Sequence, residues 1–178
     1  METTKNDLSP FEQQFFTKMR NYIGVPIYFY GSIQRDDYFK GRSDIDVVIF
    51  TENESSMVKQ LQAFLNIDLY KLKKIIHKPH FSDRVAFGYK IKYKDENHNF
   101  AVEISIFDKK YKTLVLKDHD MKSKLPFYVS FVLTLIKVLY YDLKIITKET
   151  YRSIKHFAMN NLLHRAHSHF IAIEGLTP

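Results

Sequence analysis

Seven residues, Asp44-Ile45-Asp46-Val47-Val48-Ile49-Phe50, constrain this chain more than any others. The apolar run reads as a strand, and a strand places residues two apart on one face. Asp44 and Asp46 therefore point the same way. Two carboxylates side by side repel unless positive charge sits between them. A divalent metal is the natural occupant, because hard cations such as Mg2+ take oxygen ligands. Upstream, residues 25–30 read as a first strand that ends on Gly31-Ser32, and eleven residues separate Ser32 from Asp44. An Asp-x-Asp pair alone is more often a solvated strand end, and a Gly-Ser pair alone a simple turn. Here the two occur in order, joined by a short polar loop, each attached to an apolar run.

The flanking elements follow from local signals. Ser9-Pro10-Phe11-Glu12 predicts a helix start, with Ser9 as N-cap, Pro10 in the first turn and Glu12 closing a capping box. Phe11, Phe15, Phe16, Met19 and Tyr22 continue it at helical spacing, and Gly24 stops it. A second helix runs from Met57 to about Asn66. The basic stretch Lys71, Lys73, Lys74, His77, Lys78, His80 and Arg84 fits a helix with a wet basic side or a face turned to a nucleic acid. Residues 85–93 and 100–106 alternate apolar and polar residues around a turn at 94–98, the mark of a hairpin. Glu103 interrupts its apolar second arm, where an unpaired carboxylate is costly to bury; a metal shared with Asp44 and Asp46 would meet that cost. Residues 109–124 show no clear period. Pro126 opens an apolar segment to about Leu143, read as a buried helix, and Thr147 caps a last helix running through Leu162 and Leu163.

Composition narrows the function classes. There is no cysteine, so disulfides are excluded. Residues 1–9 are polar and do not read as a signal peptide, and the apolar run 125–141 is shorter than the roughly 20 residues of a membrane span. The chain is expected to be soluble and cytoplasmic. Residues 1–68 carry seven Lys and Arg against ten Asp and Glu, whereas residues 69–178 carry twenty against ten. A basic second half attracts polyanions, although ordinary solubility charge accounts for it equally well. His164, His167 and His169 lack an acidic or Cys partner nearby and read as a polar helix end rather than a metal site.

The ordered set Tyr30-Gly31-Ser32, Asp44-Ile45-Asp46-Val47 and Glu103 within an apolar strand resembles the DNA polymerase beta-like nucleotidyltransferase superfamily, over residues 25–107. That resemblance implies an α/β (α+β) fold: a mixed β-sheet flanked by helices, with C-terminal helices. It divides the chain into a catalytic core, 1–124, and a helical segment, 125–178, packed on it. It implies a nucleotidyltransferase that moves a nucleoside monophosphate from an NTP, such as ATP, to a hydroxyl and releases pyrophosphate. Asp44, Asp46 and Glu103 would be the catalytic and metal-binding residues, holding two Mg2+ or Mn2+ ions about 3.5–4 Å apart. Gly31, Ser32, Ser43, Arg42 and Lys137 would bind the nucleotide. Relatives often carry Arg directly after the Gly-Ser; Ile33 stands there, which leaves open which basic residue meets the triphosphate. For Arg35 and Arg42 a solvated loop charge is the competing reading, and for Lys137, expected to share one helical face with Lys144 seven residues on, snorkelling to solvent. The acceptor implied by the basic second half is a nucleic-acid 3′ end, RNA favoured. Nucleotidylation of a protein or tRNA by a toxin–antitoxin-type enzyme, and an inert nucleotide- or nucleic-acid-binding module, remain alternatives.

Overall fold

In the computed structural model, the described residues are 2–68, 72–79, 81–159 and, for the backbone alone, 160 and 169–173. The first helix, α1 (Pro10–Ile23), starts on the capping box, with the Ser9 backbone N–H donating to Glu12 at 2.6 Å, and stops at Gly24 in the left-handed conformation. β1 (Ile27–Tyr30) leads into a 3₁₀ turn, Gly31–Gln34, and a loop brings the chain to β2 (Ile45–Thr51). After α2 (Glu54–Leu65) come β3 (Leu72–Lys78), β4 (Ala86–Asp95) and β5 (Phe100–Asp108). Helices α3 (Lys112–Ser123), α4 (Phe127–Lys137) and α5 (Lys148–Asn160) follow, then β6 (His169–Ile173).

The strands form one mixed sheet in the order β1-β2-β5-β4-β3-β6, in which only β2 and β5 are parallel. β2 lies inside the sheet, which explains its unbroken Val-Val-Ile-Phe: both faces are covered. One face turns Ile27, Phe29, Ile45, Val47, Ile104 and their neighbours against Phe16 and Met19 of α1 and Leu61 of α2. The other face carries Tyr28, Tyr30, Val48, Phe50 and Phe107, and Val115 of α3 closes over it. Val129, Leu133 and Ile136 of α4 and Ala158 of α5 form a separate apolar cluster.

Four expectations need correction. The basic stretch after residue 70 is not a wet-sided helix but β3, because its backbone groups are taken up by β4 on one side and β6 on the other. The patternless segment 109–124 contains α3, whose buried residues include Asp118 and His119 as well as Val115. The apolar helix is only half buried: Phe127, Phe131 and Leu135 of α4 face outward, Phe127 at 85% exposure. Lys137 and Lys144 do not share a helical face, since a π-helical turn, Val138–Asp142, separates them and Lys144 has a positive φ of 53°. Of the last helix, Leu162 and Leu163 lie outside the described residues, as do His164 and His167. No single helix among the described residues is long and apolar enough to cross a membrane.

Candidate active site

Parallel pairing of β2 with β5 sets Asp46 directly opposite Glu103. Partners across neighbouring strands share a face and stand about 4.8 Å apart at the backbone, so the two carboxylates rise together. This is the face under α3, the same one that carries Tyr30, since β1 pairs Tyr30 with Asp46. Asp44 sits two residues before Asp46 at the open mouth of β2, exposed to solvent.

Gly31 closes the site from the β1 side. Its φ is +74°, and a Cβ built there would lie 2.0 Å from Oδ2 of Asp46. Only a residue without a side chain lets the turn pass so close to that carboxylate. Gly31 and Ser32 begin the 3₁₀ turn, and the loop after it is fixed from several sides. The Arg35 guanidinium donates to Asp37 at 2.7 and 3.1 Å, both side chains being buried. Arg35 is thus neither a solvated loop charge nor a group free to meet a phosphate. Lys137 is likewise buried rather than snorkelling outward: its ammonium donates to the Asp37 backbone carbonyl, pairs with the Asp37 carboxylate at 3.1 Å and donates to Ser43 Oγ at 3.2 Å. The helix after the sheet is thereby tied to the residue preceding Asp44. Arg42 is exposed and pairs with Asp142, and the hairpin turn donates from Asn99 to the Gly41 carbonyl.

The electrostatics set Asp46 and Glu103 apart. Burial, and then the charge of Glu103, push the Asp46 carboxyl up to about 7, against the opposing pull of Lys155 and Lys90. Glu103 goes the other way. Burial alone would raise it, but Lys90 at 2.5 Å and Lys92 at 2.6 Å outweigh burial and hold it below the ordinary glutamate range. The cost foreseen for Glu103 is met here by two lysines of β4. A carboxyl as expensive to ionise as Asp46, with a second carboxylate opposite and Asp44 beside it, is a donor set suited to a hard cation. Among the described residues no three acidic or histidine side chains already converge into a closed metal nest.

Three features near the acids were missed from sequence. Lys90 and Lys92 face Ser105 and Glu103 across the hairpin, a register that counting outward from the turn at 96–99 would have supplied. Lys155 of α5 acts on Asp46 through space, and nothing local in the sequence signals it. Tyr140 stacks on Tyr151 at 4.9 Å, and the Tyr141 and Tyr151 hydroxyls are pushed up mainly by burial, with Asp44 adding its charge.

Comparison with known proteins gives one family. The family model described as a nucleotidyltransferase domain matches residues 13–163. No curated protein matches the chain. Among solved structures, the one reported as "Structure and function of the polymerase core of TRAMP, a RNA surveillance complex" is similar at 16% identity and a TM-score of 0.46, over 86% of this chain. The chain spans 50% of the length of that one.

Proposed function

The chain belongs to the nucleotidyltransferase domain family, and from that premise we propose that it transfers a nucleoside monophosphate from an NTP to the 3′ hydroxyl of a nucleic acid, RNA by preference, with release of pyrophosphate. The observation that carries this reading is the pairing of Asp46 with Glu103 on one sheet face, with the Gly31 backbone packed against the Asp46 carboxylate.

Asp44, Asp46 and Glu103 would hold two Mg2+ or Mn2+ ions, which supply charge neutralisation on the phosphates and acidify the acceptor hydroxyl. The protein's own groups do the positioning. The Gly31-Ser32 turn offers a close backbone and a hydroxyl to the triphosphate. Lys137 holds Ser43 and Asp37 in place, and so sets the approach to Asp44. Lys155 adds positive charge close to Asp46. The acceptor oxygen forms a bond to the α-phosphorus as the bond to pyrophosphate breaks. The hydroxyl proton passes to Glu103, which its two lysine partners keep ionised while also weakening it as a base. Most of the rate gain on this scheme comes from orientation and charge stabilisation.

The test is incubation with each α-labelled NTP, Mg2+ or Mn2+, and oligoribonucleotide, oligodeoxyribonucleotide or cell extract, with pyrophosphate measured alongside. The expected product is a lengthened RNA with matching pyrophosphate. Label on a protein would move the acceptor to the toxin–antitoxin class. Magnesium-dependent nucleotide binding with no pyrophosphate would reduce the protein to a binding module.

A further inference from the structure

The face that carries the carboxylates also carries a column of lysines. β4 alternates so that Lys90, Lys92 and Lys94 stand opposite Ser105, Glu103 and Ala101 of β5. β3 adds Lys73 directly across from Lys90. These four lysines, with Asp44 and Glu103 along one side, line a groove of about 440 Å³. Alternate residues of a strand step by about 6.7 Å, so the β4 lysines cover about 13 Å in a straight line.

Like charges stacked along one strand face repel, and the fold offsets this only in part. Glu103 engages the two inner ammonium groups, Lys90 and Lys92. Lys90, beside Ser105, is only 12% exposed, whereas Lys92 and Lys94 stand open to solvent at 66% and 63%. Among the described residues, Lys94 is paired only with Glu96 of the hairpin turn, at the surface. Exposed pairs of this kind hold little energy and give way readily to a polyanion. A regular column of ammonium groups at alternate strand positions matches the repeat of phosphates along an extended single strand. Glu103 stands beside the middle of this column, opposite Lys92, and that is where the acceptor hydroxyl must arrive. A cleft of this volume holds a nucleotide or two rather than a duplex.

We propose that Lys73, Lys90, Lys92 and Lys94 form the track for the phosphate backbone of a single-stranded nucleic-acid acceptor, delivering its 3′ end to Glu103. The inference rests on the proposed transfer for its direction, though not for the binding itself. Ammonium groups meet phosphates as point charges and carry no base information, so the track accepts any sequence.

The test is anisotropy of a labelled single-stranded oligoribonucleotide across a salt series, without NTP, so that binding is read apart from chemistry. Lys73 and Lys94 are exposed, so Lys73→Gln with Lys94→Gln leaves the fold intact. Lys18→Gln with Lys59→Gln, on the exposed sides of α1 and α2 across the sheet, removes the same charge elsewhere. The expected result is about tenfold weaker binding in the first variant. Its slope of log affinity against log salt should be shallower by about 1.4, because two phosphates keep their counterions. The control variant should keep the wild-type slope. Unchanged affinity and slope in the first variant, equal loss in the control, or duplex bound as tightly as single strand would each overturn the track. Track binding without transfer would sink the reaction and keep the track. Transfer to RNA with an unaltered slope would do the reverse. Label on protein with no oligonucleotide binding removes both.

Discussion

The two ends of one sheet face treat polar side chains in opposite ways. At the open end, Asp44 and the outer lysines remain in contact with solvent, and Asp46 is left with a carboxyl raised to about 7. At the other end, under α3, His77, Asp118, His119 and Ser105 are buried. Most of their polar atoms meet one another or a neighbouring side chain, although His119 Nε2 finds no hydrogen-bond partner among the described residues. His77 Nε2 lies 3.2 Å from Asp118, which Lys122 also contacts at 2.5 Å. The Tyr30 hydroxyl meets Ser105 at 3.1 Å while its ring stacks on His119 at 3.8 Å. Burial drives both histidines down, to the neutral form. Burial would raise Asp118, but the His77 contact and the Lys122 ammonium hold it well below the usual carboxylate range. Tyr30 and Ser105 mark the boundary. The sealed end uses polarity to pack a helix on a sheet, and the open end leaves its charge available to a ligand.

This contrast separates activity from stability. The largest effect is expected from Asp46→Asn, which should cut transfer on the order of a hundred- to a thousandfold without lowering the melting temperature. Pyrophosphate release and a thermal melt on the same preparation check it, and a large fall in melting temperature would erase the distinction between the two ends. Next is Gly31→Ala. Its Cβ would strike Asp46, and φ +74° is strained for alanine, so transfer should fall about a hundredfold through misplacement of the carboxylate, with a modest stability loss.

The sealed end should behave in the reverse manner. His119→Ala removes a stacked, buried ring and is expected to cost about 2 kcal/mol of folding free energy, measured by urea unfolding, with turnover of the folded fraction little changed. The smallest effect is on pH dependence. His77 and His119 are held neutral in the fold, whereas the unfolded chain takes up protons below about 6.5. More protons bound by the unfolded state means that stability falls as pH falls through that value, by up to about 1.4 kcal/mol per unit for each histidine. In His119→Phe the dependence between pH 7.5 and 5.5 should flatten. An equally steep loss in that variant would place the acid sensitivity elsewhere.

The sequence revealed the open end better than the sealed one, for physical reasons. The capping box of α1, the Gly31-Ser32 turn, the Asp44-x-Asp46 strand and the hairpin are local patterns, so period and spacing expose them. α3 was invisible because part of the side it buries is Asp118 and His119, which break the apolar stripe that marks a helix. β3 passed for a helix because its charges hide the alternation, and its partners lie far along the chain. The burial of Lys137, in place of the expected snorkelling, has a related cause. It depends on Asp37, a hundred residues away. The same holds for the lysines over Glu103: each residue was visible, but their meeting is a matter of register.

Crystals grown with Mn2+ and a non-hydrolysable NTP test the central claim most directly, through anomalous scattering. The account predicts manganese peaks bridging Asp44 and Asp46, with Glu103 at the second ion and the triphosphate against the Gly31-Ser32 turn. Manganese and nucleotide bound elsewhere, with neither ion at Asp46 or Glu103, would contradict it.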